Sequence, residues 1–230
     1  MIGKGKSISH GVAALEYDLA KEIDGQAAAT EIARHELYGC TGAEMVQEMK
    51  PYHIDFPNVK NNCLRFEVSP SIEESATFTD ADWAELGNDF MQRMGLANHQ
   101  YIIIRHSGTE SKKEQAHLHI LANRVSLSGE LYRDNWIGKK ATEAANAIAK
   151  ERNFVQSQDI GKVNKAEIKE AMDGVLKKMQ GFDFTKFKEE LGKRGFKVRE
   201  ARASTGKLNG YYVTARSGTE YKASEIGKGY

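Results

Sequence analysis

Cysteine and long apolar runs are scarce in this sequence, and each shortage excludes a class of protein. Only two cysteines, Cys40 and Cys63, occur among 230 residues, too few for a disulfide framework and without the spacing of a paired motif. No apolar run reaches membrane-spanning length, and the basic start of the chain is not followed by the apolar core of a signal peptide. We therefore expect a cytoplasmic protein without membrane insertion.

Excess charge is also small. The net charge is +1, so the total does not indicate a nucleic-acid binder, and only the distribution of charge can do so. Segment 193–222 contains only two acidic residues, Glu200 and Glu220. Its basic residues are Lys193, Arg194, Lys197, Arg199, Arg202, Lys207, Arg216 and Lys222. This segment is either a basic strip that binds nucleic acid or a solvated strand surface.

Hydrophobic periodicity, capping residues and turn residues predict the order of elements. Helices are predicted over residues 7–23, 41–51, 79–95, 138–152, 164–180 and 183–195. Strands are predicted over 62–69, 101–106, 117–125 and two stretches that flank the turn 205–210. Helices interspersed with hairpins indicate an α+β fold on a mostly antiparallel sheet. We expect a single domain over residues 1–230, with residues 181–230 as a basic hairpin segment that closes it.

Three of the seven histidines lie at the end of one predicted strand and the start of the next. Residues two apart in a strand point to the same face, so His117 and His119 project side by side, and His106 lies opposite them if the strands pair. Three neutral imidazoles on a buried face each need a partner, whereas one divalent ion satisfies all three. The alternative is a partly exposed face with solvated histidines.

A three-histidine site without cysteine leaves coordination positions open, which is typical of a catalytic ion rather than a structural one. Zinc, manganese, nickel and magnesium all remain chemically possible. The sequence therefore predicts a divalent metal ion held by His106, His117 and His119, and does not choose among these metals.

The surrounding residues resemble a known family. Residues 101–106, Tyr-Ile-Ile-Ile-Arg-His, and 116–125, Ala-His-Leu-His-Ile-Leu-Ala-Asn-Arg-Val, resemble the His-hydrophobe-His motif of plasmid mobilisation relaxases of the MobA/VirD2-like kind, in the HUH endonuclease superfamily. Residues 64–70 are similar to the second motif of that family, and residues 79–83 open the helix before Gly95. The resemblance covers most of the chain and implies a five-stranded, mostly antiparallel central sheet flanked by helices. Many relaxases carry an acid two positions after the first histidine, where Gly108 stands here and Glu110 comes later.

The resemblance also implies a tyrosine nucleophile near the N-terminus. Tyr17 fits that place, and Tyr38 and Tyr52 are the alternatives. Tyrosine is protonated at neutral pH, since its reference pKa is about 10, so it needs a base or a nearby positive charge. Glu67 is our candidate: it could accept the hydroxyl proton or orient His106, and it could equally be a structural strand carboxylate.

What the resemblance implies about activity is nicking of one DNA strand at a transfer origin. The tyrosine would form a 5′-phosphotyrosyl adduct, and reversal would rejoin the strand during conjugative mobilisation. Implied partners are single-stranded DNA, accessory mobilisation proteins and a coupling protein, and relaxases often carry a further C-terminal region. Expected DNA contacts are Arg105, Asn123, Arg194, Lys197, Arg199, Arg202, Lys207 and Arg216, with Tyr211, Tyr212 or Phe196 stacking on bases.

Three other functions compete with this one. A rolling-circle replication initiator would use the same metal motif with a later tyrosine, for which Tyr132, Tyr211 and Tyr212 are candidates. A metal-dependent hydrolase would use water and need no tyrosine. A non-enzymatic DNA-binding module with a structural ion is disfavoured, because cysteine ligands are absent.

Overall fold

The computed structural model describes residues 1–108, 115–204 and 206–229. Contacts between Cα atoms divide the chain into two compact units, Met1–Ser157 and Gln158–Tyr230, and each is described here by itself. That both units belong to one relaxase domain, which residues 181–230 close, stays a prediction. Among the described residues, no helix combines the length and apolar character needed to cross a membrane.

The first unit is built on a five-stranded sheet. The strands of this unit are β1 (Ile2–Ile8), β2 (Glu22–Ile23), β3 (Gln26–Ala27), β4 (Ala29–His35), β5 (Cys63–Ser69), β6 (His99–His106) and β7 (His117–Ser126). Strands β2 and β3 pair with each other in a separate two-stranded sheet, and the other five form the main sheet. Its helices are α1 (Gly11–Leu19), α2 (Gly42–Met49), a 3₁₀ helix (Lys50–His53), α3 (Ile72–Ser75), α4 (Asp80–Arg93) and α5 (Ile137–Glu151). The sheet order is β1-β5-β7-β6-β4, and all four pairings are antiparallel. The predicted α+β fold with a five-stranded antiparallel sheet is confirmed.

Helices cover both faces of this sheet. On one face, Phe66 and Ile120 pack with buried residues of α4 and α5 in the larger core. On the other face, which we call the histidine face, Ile104 and Leu121 pack with Leu15 of α1 and residues of α2. Because strand residues alternate between faces, His106, His117 and His119 project on the histidine face, beyond these apolar contacts.

The N-terminal strand β1 is the main element that the sequence did not predict. Residues 7–23 were expected to be one helix, but β1 extends to Ile8 and α1 begins only at Gly11. Glycine is a poor strand former, and β1 contains Gly3 and Gly5. These glycines allow α5 to approach the sheet, because a Cβ on Gly3 would overlap the carbonyl of Ala141. The strand therefore depends on packing against a helix distant in sequence.

Local signals predicted the other elements well. Thr41 with Glu44 and Thr79 with Asp82 form the expected capping boxes of α2 and α4. Helix α2 ends at Met49, but helical structure continues past Pro51. That proline lies in the first turn of the 3₁₀ helix, where no hydrogen-bond donor is lost.

The second unit is a small helix-backed sheet. Its elements are α6 (Ser157–Leu176), α7 (Phe184–Lys193), β8 (Lys197–Arg202), β9 (Leu208–Thr214), β10 (Glu220–Lys222) and α8 (Ala223–Ile226). The sheet order is β10-β9-β8, so the predicted hairpin around 205–210 is confirmed, although Thr205 lies outside the described residues. Its own core contains Met172, Phe187, Phe196 and Val213.

Candidate metal centre and nuclease site

Strand register brings the three histidines together. His106, the last residue of β6, pairs directly with His117, the first residue of β7, and His119 lies opposite Ile104. One potential ligand atom from each histidine lies within 4.8 Å of the others. His106 and His117 are buried, while the His119 side chain is 14% exposed. The predicted histidine cluster is thus present as a compact group at one end of the histidine face.

The hydrogen bonds of the rings fit a divalent ion. The Nδ1 atom of His117 lies 3.0 Å from the carbonyl oxygen of Gln115, to which it can only donate. Its Nε2 atom therefore carries the lone pair and lies 3.1 Å from Nε2 of His119. Two imidazole nitrogens that face each other at this distance match neighbouring ligands of one ion. Imidazole also suits several transition metals, so the identity of the ion stays open.

Burial keeps the rings of His106 and His119 neutral, as metal ligands must be. Burial lowers the pKa of His106 to about 4, against the opposing effect of its hydrogen bond with the Asp18 carbonyl. Burial also lowers the pKa of His119 to about 2, and repulsion from His106 and His117 when these are protonated, and from Arg65, adds to the effect. His106 and His119 are therefore ready to donate lone pairs at neutral pH.

A buried ion pair attaches helix α1 to the cluster. Asp18, whose side chain is 1% exposed, accepts two hydrogen bonds from the Arg65 guanidinium, one of them at 3.1 Å. An Asp18 carboxylate oxygen lies 3.8 Å from Nδ1 of His119, and the Asp18 carbonyl accepts from Nε2 of His106 at 2.8 Å. Burial raises the pKa of Asp18, and the hydrogen bond and charge of Arg65 oppose that rise. One residue of α1 thus contacts two of the three histidines.

Tyr17, the predicted nucleophile, directly precedes Asp18 on α1 and is 59% exposed. Its hydroxyl lies 3.5 Å from the Nζ atom of Lys21, whose ammonium also lies over the ring. The charge of Lys21 acts on His106 as well, since it contributes to the lowered pKa of that ring. A positive charge of the kind that a tyrosine nucleophile needs is therefore present, although the sequence analysis did not identify Lys21.

Glu67 lies on the histidine face, directly opposite His119 in the register between β5 and β7. Its carboxylate accepts a hydrogen bond from Lys4 at 2.8 Å. The group bonded to His106 is the Asp18 carbonyl instead. Of the roles considered for Glu67, this geometry matches the paired strand carboxylate, with a lysine as its partner.

Two residues that were predicted to contact DNA, Asn123 and Arg105, form hydrogen bonds within the protein instead. Asn123 is fully buried, and its amide bonds to His53, Gln100 and the backbone of Met49 and Val125. Asn123 therefore has no exposed surface that could contact DNA. Its amide instead joins the 3₁₀ helix to the sheet. Arg105 donates to Asp80 at 2.5 Å on the face away from the histidines. Glu110, the acidic residue that comes shortly after Gly108 in the sequence, lies outside the described residues.

The basic strip of the second unit is largely paired. Arg199 makes two hydrogen bonds to Glu220 and lies over the ring of Tyr212, and Arg202 bonds to Glu200. Arg194 donates to the carbonyl of Ala171. Arg216 donates to the Arg194 carbonyl and lies over the Phe196 ring, which is buried. Lys197 and Lys207 are exposed. Glu220 and Glu200 thus each pair with one arginine of the segment, while Arg194 and Arg216 keep their charge and donate to backbone carbonyls.

Three histidine rings that cluster at one end of a buried sheet face are typical of a metal-dependent enzyme. The comparisons with known proteins define the family. The model of the relaxase family, MobA/VirD2-like, nuclease domain, matches residues 17–154, which is more than half of the chain. The chain therefore belongs to the MobA/VirD2-like relaxases and is a DNA-nicking endonuclease and transesterase.

Two structures of the conjugative relaxase TrwC in complex with oriT DNA, one metal-bound and one metal-free, are similar to this chain with a TM-score of 0.40. Sequence identity is 12% and 10%, and each comparison covers 90% of this chain and 74% of TrwC. No curated protein matches the chain.

Proposed function

We propose that this relaxase nicks one strand of single-stranded DNA at a transfer origin by attack of Tyr17. The product is a 5′-phosphotyrosyl adduct and a free 3′-hydroxyl, and the reverse reaction rejoins the strand. The setting is conjugative mobilisation of a plasmid in the cytoplasm, with accessory mobilisation proteins and a coupling protein as partners. His106, His117 and His119 hold the divalent ion.

The observation that carries this proposal is the contact between α1 and the histidines. Asp18 bonds to His106 and lies beside His119, so the helix that carries Tyr17 is attached to the candidate metal centre. Tyr17 itself is exposed and can meet a phosphodiester. A nucleophile and a charge-neutralising centre held on rigid neighbouring elements are what in-line attack on phosphorus requires.

The reaction exchanges one phosphate ester for another. The bound ion would neutralise charge on the non-bridging phosphate oxygens. The Tyr17 hydroxyl releases its proton to solvent as its oxygen forms a bond to phosphorus. The bond to the 3′-oxygen breaks, and that oxygen takes up a proton from solvent, so the exchange consumes no net proton. Lys21, 3.5 Å from the Tyr17 hydroxyl, stabilises the developing phenolate by its charge. Because the phosphotyrosyl bond retains the energy of the phosphodiester, the free 3′-hydroxyl can attack it in turn.

Two of the rival tyrosines lie in less suitable places. Tyr132 packs against the larger core, and Tyr211 packs in the core of the second unit. Burial raises the pKa of both, which disfavours them as nucleophiles. Tyr212, like Tyr17, has a cation over its ring, so the adduct assay decides between these two.

The test is an adduct assay. Wild-type protein is incubated with a divalent metal and single-stranded oligonucleotides from candidate origins, and an SDS-resistant protein–DNA adduct is measured. We expect Tyr17→Phe to abolish the adduct and Tyr38→Phe, the matched exposed tyrosine, to retain it. Cleavage that persists in Tyr17→Phe would show that the nucleophile lies elsewhere. Cleavage without an adduct in any variant would instead favour the hydrolase.

A further inference from the structure

A groove of about 230 Å³ lies beside the metal centre, along β1 and β5. Its polar lining consists of Lys4, Lys6, Arg65, Glu67 and His119. The family match begins at residue 17, so the two lysines lie on a strand that precedes it. The groove thus extends the histidine face towards the edge of the sheet.

Strand register determines the order of charges in the groove. Lys4 pairs with Glu67, and Glu67 pairs with His119, so these three side chains form one row across β1, β5 and β7. Lys6 pairs with Arg65 in the next row. Adjacent strands are about 4.8 Å apart, which places Lys4 roughly 10 Å from His119 along the row. The groove therefore offers positive charge at a distance suited to a phosphate beside the one at the metal centre.

The two lysines are available to a ligand, whereas Arg65 is not. Arg65 is bound to buried Asp18. The side chain of Lys4 is 64% exposed, and its single ion pair with Glu67 is of the surface kind that contributes little stability. Lys6 is exposed. Both lysines are held on a regular strand, because Gly3 and Gly5 let α5 pack against its other face. Little ordering of the backbone would accompany binding.

We propose that this groove is a phosphate-binding site for single-stranded DNA, in which Lys4 and Lys6 contact phosphates next to the cleaved one. This inference rests on the proposed function. In the absence of DNA, Lys4 pairs with Glu67. A phosphate oxygen of the DNA would replace the Glu67 carboxylate as the partner of Lys4. Binding here would be independent of base sequence and sensitive to salt.

The test measures the binding of a single-stranded oligonucleotide by fluorescence anisotropy over a range of salt concentrations. The parent is Tyr17→Phe, so that binding is read without adduct formation. Each phosphate contact to a single strand contributes a slope of about 0.7 to the salt dependence of log K. The double variant Lys4→Gln/Lys6→Gln should therefore reduce the slope by about 1.4 and weaken binding about 25-fold at 0.1 M salt.

The matched control is Lys139→Gln/Lys150→Gln, which removes two exposed lysines from α5, the helix that packs against the other face of β1. It should leave the salt slope close to that of the parent. Glu67→Gln releases Lys4 and should tighten DNA binding. Metal affinity, measured by calorimetry, should be the same in the Lys4/Lys6 variant and the parent.

The outcomes separate the two proposals. If the parent binds DNA and the Lys4/Lys6 variant has an unchanged slope, the groove is not a phosphate site, while the proposed function stands. Weaker binding in Glu67→Gln would also overturn the inference. If the parent does not bind single-stranded DNA and wild-type protein forms no adduct, the proposed function fails and this inference fails with it.

Discussion

Replacing Arg65 by methionine should destabilise the first unit more than replacing its partner Asp18 by alanine. Arg65→Met leaves a carboxylate on a side chain that is 1% exposed, whereas Asp18→Ala leaves a guanidinium on a side chain that is 20% exposed and can reach water. Loss of one partner of a buried pair costs about 3–5 kcal/mol. We expect Arg65→Met to lie in that range and Asp18→Ala at about 2 kcal/mol, where the partial exposure reduces the cost.

Urea unfolding of metal-free protein, followed by tryptophan fluorescence, measures this difference. Both tryptophans, Trp83 and Trp136, lie in the first unit, and Trp83 is buried in its larger core, so the signal reports that unit. The double variant Asp18→Ala/Arg65→Met is the control, because it removes both charges. Its loss of stability should be smaller than the sum of the two single losses.

The pH dependence supplies a second check on the same pair. Burial already raises the pKa of Asp18, and removing the opposing guanidinium should raise it further. Arg65→Met should therefore recover part of its lost stability as the pH falls and the carboxyl takes up a proton. Our reasoning would be refuted if Asp18→Ala cost more than Arg65→Met, or if the double variant lost the full sum.

Two further predictions concern the histidines. His117→Ala should lower the affinity for a divalent ion more than about 100-fold in calorimetry, while circular dichroism shows an intact fold, because an open site loses one of three ligands. Retention of wild-type affinity would exclude His117 as a ligand. The stability of metal-free protein should decrease as the pH falls below 6.5, because burial lowers the pKa of His99, and that of His106 to about 4, below the ordinary value of 6.5. These rings favour the folded state while neutral, so their contribution is complete above 6.5 and lost towards pH 4, as urea midpoints across this range would show. A midpoint that rises on acidification would contradict this sign.

Some features of the fold were predictable because their causes are local. Capping at Thr41 and Thr79 depends on residues three positions away, and the strands 101–106 and 117–125 were recognisable from dense β-branched and apolar residues. The histidine cluster followed from the two-residue period of a strand, since the hairpin pairs His106 with His117. Predicting the cluster required only that β6 and β7, which are consecutive in the sequence, pair with each other.

Other features depended on contacts between residues far apart in the chain. The sequence did not reveal β1, whose glycines are explained only by the approach of α5, although its alternating lysines are the period-two pattern of a strand. Nothing in the local sequence singles out Asp18, because its partner Arg65 is 47 positions away. Asn123 matched a family motif, yet tertiary packing buries it.

The sequence by itself therefore determined the chemistry available to this relaxase: three imidazoles at strand spacing, an N-terminal tyrosine and the α+β class. Side-chain type and short-range periodicity are properties of the unfolded chain, so they can be read from the sequence without knowledge of the fold. The tertiary structure alone decided which charges are free. It buried Asp18 against Arg65, paired much of the basic segment of the second unit, and placed Lys4 and Lys6 in the row beside His119. Charge pairing depends on distance in space, which sequence separation does not encode.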